Sequence, residues 1–240
     1  AIISCLSLWE FLTIRFSNLI TFTSLLIFIC LIFVAHFPFF NNLFITLSVF
    51  IYAIASIFIL SFPLNKTFLK NSLTWLFIGF SIHLGFFASV FQIISTDPLS
   101  SLSLNFSNDR LFILYIVLIS VLMDSIAFFI GKNFGKKPFI NNVSPNKTME
   151  GFLSAVTITP IFLLLTSSQA FELPIILVFI VLSLVSIFSV IGDAVASLMK
   201  RVVEVKDYSN LIPGHGGLFD RLDSHIAAFP CFIFLLNILS

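Results

Sequence analysis

Charge is what this sequence has least of. Of its 240 residues only 10% are Asp, Glu, Lys or Arg, whereas 59% are hydrophobic, 33 are Phe, and the mean hydropathy is +1.14. Soluble domains average roughly 45 to 50% apolar residues and about 25% charged ones, so the composition excludes a soluble globular domain and indicates an integral membrane protein. Cysteine is scarce as well. Cys5, Cys30 and Cys231 stand singly in apolar segments, with no paired spacing and no Cys/His cluster, which excludes a disulfide framework and a zinc site. No Gly/Ser linker, low-complexity tract or internal repeat marks off a separate soluble domain. A G-x-x-x-x-G-K-[ST] phosphate loop is missing, and no cleavable signal peptide is visible.

What the chain has instead is long apolar runs. A helix needs about 20 apolar residues to cross a bilayer, and candidates lie near 18–36, 43–62, 73–94, 111–131, 151–168, 174–198 and 222–239. An eighth run, 1–13, starts at Ala1 with neither an initiator Met nor a charged flank, so the beginning of the native protein is expected to be missing. The expected fold is therefore all-α and polytopic, with about 7–8 transmembrane helices. Lys and Arg are retained on the cytoplasmic side of short loops. Eleven of the twelve, all except Arg110, fall in the loops after the first, third, fifth and seventh runs, so those loops should be cytoplasmic and the 95–110 loop, with Asp97 and Asp109, should face away.

Polar residues divide the chain at about residue 110. The first part, 1–110, reads as a membrane-helical region with little chemistry; Glu10, in L-W-E-F, is expected to be an interfacial anchor, and His36 and His83 to be structural. The second part, 111–240, carries acids inside two runs, Asp124 and Asp193. An acid at the bilayer centre costs about 2.5 to 3.5 kcal/mol on insertion scales and persists mainly where it faces a cavity or a counter-ion. Both are therefore candidate functional groups.

Ions then crowd into the stretch from Ser197 to Asp223, where Lys200, Arg201, Glu204, Lys206, Asp207, Asp220, Arg221 and Asp223 surround a glycine turn with His215 in it. Helical spacing puts Asp193, Ser197 and Lys200 on one face, a stripe of acid, hydroxyl and ammonium descending to the loop. Asp193 and Asp220 are the candidate pair for a hard cation such as Mg²⁺, while Lys200 and Arg201 are placed to meet a lipid phosphate at headgroup level. Pro213, Gly214, Gly216 and Gly217 allow a tight turn whose backbone can approach a phosphate. His215 is open to use as a base, as a nucleotide contact, or for a local hydrogen bond. Upstream, Ser144 and Pro145 form a good N-cap and N1 pair, so a helix is expected to start there, with Lys147 and Thr148 adding to an anion site for the nucleotide and Glu150 beside them.

Taken together, S-x-M-K-R-x4-K-D-x-S-x2-I-P-x-H-G-G-L-x-D-R-L-D, from Ser197 to Asp223, resembles the signature of the phosphatidate cytidylyltransferases, or CDP-diacylglycerol synthases. D-x-x-A-F-x-x-G-K-x-F-G-K, from Asp124 to Lys136, and S-P-N-K-T-M-E-G, from Ser144 to Gly151, resemble the family's upstream motifs. The resemblance covers roughly the last 130 residues. Phe128, Lys132 and Met149 stand where that family commonly has Tyr, Arg and Trp, which bears on substrate fit more than on reaction type. The resemblance implies transfer of a cytidylyl group from CTP to phosphatidic acid, giving CDP-diacylglycerol and pyrophosphate. It implies Mg²⁺, with a monovalent cation such as K⁺, and a homodimer in a prokaryotic inner or plasma membrane with its site facing the cytoplasm and no nucleic-acid partner. In that setting Asp193, Ser197, Lys200, Arg201 and Asp220 are the expected catalytic groups. Asp124, Ser144, Lys147, Thr148, Glu150, Lys206, Asp207, His215, Gly216, Gly217 and Arg221 are the expected substrate contacts. A CTP-dependent lipid kinase and, from another class, a transporter with intramembrane acids are the rival readings.

Overall fold

The structure is a computed structural model, and it describes residues 1–95, 109–167, 173–214 and 216–239. Most of the 95–110 loop, and His215, therefore lie outside the described residues. In chain order the elements are α1 (Ile2–Thr13), α2 (Asn18–Val34), α3 (Pro38–Ser61), a short α4 (Lys66–Leu69), α5 (Ser72–Ser95), α6 (Asp109–Phe134), strands β1 (Pro138–Ile140) and β2 (Ser144–Thr148), α7 (Met149–Ser167), α8 (Ile175–Val203) and α9 (Phe219–Leu239). Every apolar run of the sequence is thus a helix. Five of them, α3, α5, α6, α8 and α9, are long and apolar enough to cross a membrane, and α1, α2 and the apolar part of α7 are shorter.

The two parts of the chain share one core. Helix α9 packs against α8 and also against α3 and α5, so Phe86 of α5 meets Phe229 of α9 edge-on at 5.5 Å between ring centroids. Outward positions carry Phe22, Phe50, Ile57, Leu60, Leu114, Leu165 and Ile176 in the open, a surface suited to lipid rather than water. At one end of the bundle a polar staple joins α5 to α9 through Gln92 Nε2, which donates to Asn237 Oδ1 at 3.0 Å.

The loops rich in Lys and Arg meet at the other end. Arg15 donates to the carbonyl of Lys70, Lys66 pairs with Glu204 at 2.6 Å, Asn142 Nδ2 donates to the Phe62 carbonyl at 2.9 Å, and Arg201 Nε donates to the Val143 carbonyl at 3.2 Å. The loops after α1, after α3, between α6 and α7, and after α8 therefore converge on a single face.

The segment before α7 corrects a sequence expectation. Ser144 and Pro145 do not open a helix: residues 144–148 form β2, paired antiparallel with β1, and the helix starts at Met149. Tertiary burial overrides the local capping signal here, because Ile140 and Val143 are buried and Phe139 stacks on Phe152 of α7 at 4.4 Å. Thr148 is the true cap, its Oγ1 accepting from the Gly151 N–H at 3.2 Å.

Candidate active site

Helices α6, α7 and α8 and the β-hairpin enclose a cavity of about 520 Å³ at the ion-rich end. The α6 wall comes from Asp124, Ala127, Phe128 and Gly131, which recur at helical spacing and so share a face. Asp193 and Val190 of α8 form another wall, Phe152 of α7 a third, and Phe139, Ser144, Asn146, Lys147 and Thr148 of the hairpin close the site. Lys147 Nζ pairs with Asp193, whose Oδ1 also lies 3.4 Å from Ser197 Oγ one turn on, so the acid and hydroxyl of the expected stripe meet, while its ammonium, Lys200, pairs with Asp220 instead.

A third acid completes the floor. Asp223 of α9 is buried and lies within electrostatic reach of Asp193, Asp124 and Lys147. Ser224 Oγ sits 3.1 Å from Asp124 Oδ2 and 3.3 Å from Asp223 Oδ1, which bridges α6 to α9. Asp124 and Asp193 thus share the cavity with Lys147 and Lys132, with Asp223 buried behind them, and the two lining acids supply hard oxygens. Among the described residues no group of three or more His, Cys, Asp or Glu is arranged to hold a metal ion, so a divalent cation here would have to draw on one or two carboxylates together with substrate phosphates.

Asp220, the other acid expected at a cation, has different partners. Its Oδ1 takes Lys200 Nζ at 2.6 Å, and its Oδ2 accepts from the N–H groups of Tyr208 at 2.9 Å and Gly217 at 3.0 Å. Asp220 could ligate a cation only by giving up Lys200. The Lys200 ammonium, 5.5 Å from the Tyr208 ring centroid, is held inside the loop, and Arg201 is fastened to the hairpin through Val143. Tyr208 is buried, its hydroxyl donating to the Ala196 carbonyl at 2.9 Å, and burial pushes its phenol well above the usual range.

Glycine explains how the hairpin and α6 come so close. A Cβ on Gly151 would stand 2.5 Å from the Ala127 carbonyl oxygen, and one on Gly131 would stand 2.8 Å from Thr148 Oγ1. Thr148 is therefore wedged between helices as a cap as well as lining the cavity. Glu150 serves locally, its Oε2 accepting from the N–H groups of Lys136 at 3.0 Å and Lys137 at 3.2 Å. Lys206, Asp207, Asn210, Gly214, Gly216 and Arg221 line a second, polar pocket of about 330 Å³ on the loop.

The sequence pattern of the whole cytidylyltransferase family matches residues 1–239, so the match spans both the helical first part and the ion-rich second part. The chain belongs to the cytidylyltransferase family. Among curated members of that family it is 37% identical to a phosphatidate cytidylyltransferase of Bacillus subtilis over 130 residues, 54% of this chain and 48% of that protein. It is 35% identical to one from Haemophilus influenzae over 191 residues, 75% of this chain and 64% of that protein. A third, from Staphylococcus haemolyticus, is 41% identical over 131 residues, 53% of this chain and 48% of the relative. The matched region therefore spans about half to just under two thirds of these cytidylyltransferases' own length.

One residue that shapes the loop beside this cavity was misread in the sequence. Glu10 of α1 is not an interfacial anchor; it is fully buried and accepts hydrogen bonds from the loop that carries Asp207 and Asp220. The signal that could have found it is the one used for Asp124 and Asp193, an acid inside an apolar run.

Proposed function

We propose that this chain transfers a cytidylyl group from CTP to phosphatidic acid, releasing pyrophosphate and leaving CDP-diacylglycerol in the membrane. The observation that carries the reading is the cavity in which Asp124, Lys147 and Asp193 share one space with Phe128, Phe139 and Phe152. Ionic floor and aromatic wall suit a substrate that has a phosphate at one end and acyl chains at the other. The basic pocket of Lys206 and Arg221 suits the polyphosphate of the nucleotide. This divides the substrates differently from the sequence expectation, in which Lys147 and Thr148 opened a helix toward the nucleotide and Lys200 and Arg201 met the lipid; the helix start at Met149 and the internal partners of Lys200 and Arg201 remove that basis.

In this reaction an oxygen of the lipid phosphate attacks the α-phosphorus of CTP in line, the new P–O–P linkage forms, and the bond to the β-phosphate oxygen breaks to release pyrophosphate. A phosphate monoester is already nucleophilic near neutral pH, so the protein need not remove a proton. Its work is to hold two anions together against their repulsion. Lys147 leaves Asp193 for a phosphate oxygen, while Lys206 and Arg221 neutralise the leaving group. Asp193, with Asp124 and Asp223 behind it, would hold Mg²⁺, with Asp220 joining if Lys200 turns to substrate and K⁺ as an auxiliary cation. Bound there, the metal would supply Lewis-acid stabilisation of the phosphate oxygens.

We take the ion-rich end to face the cytoplasm of a prokaryotic membrane, on the strength of its Lys and Arg, and the protein to act as a homodimer. A transporter would concentrate its polar groups near the midplane in two related halves, whereas these groups gather at one end. The reading is tested with purified protein, CTP, phosphatidic acid and Mg²⁺: a CDP-lipid and pyrophosphate should appear in equal amounts and only when both substrates are present. Turnover of CTP without phosphatidic acid would contradict it.

A further inference from the structure

Glu10 is fully buried in α1, in the part of the chain whose sequence offers little chemistry. Both of its oxygens are occupied by the loop leading into α9. Ser209 Oγ donates to Oε1 at 2.5 Å, the Leu218 N–H to Oε1 at 3.0 Å, and the Phe219 N–H to Oε2 at 2.7 Å. Because α9 begins at Phe219, Glu10 supplies from a distant helix the acceptor that a neighbouring Ser or Asp gives most helix starts.

The loop is held from its other side too. A Cβ on Gly217 would lie 2.9 Å from Glu10 Oε2 and 3.1 Å from Asp220 Oδ2, so the backbone here runs between two carboxylates with no room for a side chain. Helix α1 is itself anchored: Ser7 Oγ lies 3.0 Å from His83 Nε2, and Trp75 Nε1 donates to the Phe11 carbonyl at 3.2 Å, both from α5. Phe11 packs on Phe219 at 5.6 Å, which fixes the base of the loop against the same helix. Glu10 does not line the loop's polar pocket, yet Asp207, Gly216 and Arg221, which do, flank the backbone that it holds.

We propose that Glu10 is a positioning residue for the polyphosphate of the nucleotide: by holding Ser209, Leu218 and Phe219 it presents Lys206, Asp207 and Arg221 to that substrate. The proposal rests on the CTP reading above. A buried carboxylate with three donors is a strong and directional tether, and no other described group caps Leu218 and Phe219.

The test uses the whole purified chain with Glu10→Ala and Glu10→Gln, followed by amide hydrogen exchange at Leu218 and Phe219 and by initial rates at varied CTP and varied phosphatidic acid. Glu10→Ala should exchange these two amides about ten-fold faster or more, and should raise KM for CTP about ten-fold with KM for phosphatidic acid within about two-fold. Glu10→Gln, which keeps one acceptor oxygen, should fall between the two and carries the same test should the alanine variant not fold. Exchange equal to wild type, or equal rises in both KM values, would overturn the proposal. If the wild-type protein makes no CDP-lipid, the activity reading fails, and the exchange measurement still decides whether Glu10 holds the loop.

Discussion

Lys147, on the second strand of the hairpin, pairs with Asp193, in the body of the 29-residue helix α8. The contact ties the hairpin to the acid of the longest described helix and places an ammonium of the cavity on a carboxylate that lines it.

Removing Lys147 takes from Asp193 the ammonium with which it is paired. Lys147→Met is expected to lower kcat by about 100-fold, since a contact to the reacting phosphates is lost, while a lower Mg²⁺ concentration gives half-maximal activity. A Mg²⁺ titration of initial rate checks this. Unchanged Mg²⁺ dependence would mean that Lys147 and the metal do not compete for Asp193.

Asp193→Asn and Asp220→Asn should differ in kind. The first removes the proposed cation ligand and should cost on the order of 100-fold in rate with weakened Mg²⁺ dependence. The second unpairs Lys200 and loosens the Tyr208 and Gly217 contacts, so its loss should be accompanied by a lower melting temperature in detergent. Equal melting temperatures for both variants would speak against a structural share for Asp220.

The glycine seam between α6 and α7 predicts a stability effect away from the chemistry. A Cβ at Gly151 would approach the Ala127 carbonyl to 2.5 Å, and backbone cannot rotate away as a side chain can. Gly151→Ala should destabilise the protein by about 1 to 3 kcal/mol, read as a lower thermal midpoint. Thr148→Val, which keeps the shape and loses the cap, should cost about 1 kcal/mol.

Most helices were legible in the sequence because a bilayer imposes a composition that no local competition can hide; every apolar run predicted from hydropathy is a helix. The stripe from Asp193 to Ser197 was legible for the same reason, its spacing being fixed by helix geometry. Ser144 and Pro145 misled because capping chemistry is local, whereas the burial of Val143 and the stacking of Phe139 on Phe152 are not. Glu10 stood out as an acid inside an apolar run, but its role was hidden because its partners Leu218 and Phe219 lie more than 200 positions along the chain.

The face shared by the basic loops can be checked by chemistry. With Cys5, Cys30 and Cys231 replaced, single cysteines at Asn142 and Asn210, both exposed, should react with an impermeant maleimide from the same side of sealed vesicles. Labelling from opposite sides would separate the hairpin from the 209–219 loop and dismantle the site.

Lys66 and Glu204 serve as the control for these charges. Lys66 holds the Glu204 carboxyl below its usual range, first by its hydrogen bond and then by its charge, with Lys70 adding to it. The pair is therefore present above that lowered pKa and lost as pH falls through it. Being exposed at Glu204, it contributes little, and Lys66→Ala should leave activity within about two-fold.

Which phosphorus is attacked tests the central claim most directly. Purified protein is given phosphatidic acid and Mg²⁺ with CTP labelled either at the α- or at the γ-phosphate, and label in the lipid fraction is counted. Cytidylyl transfer in the Asp193 and Lys147 cavity predicts that α-label enters the lipid, that γ-label leaves as pyrophosphate, and that Asp193→Asn slows both on the order of 100-fold. Lipid labelled from the γ-phosphate, or α-labelling undiminished in Asp193→Asn, would contradict it.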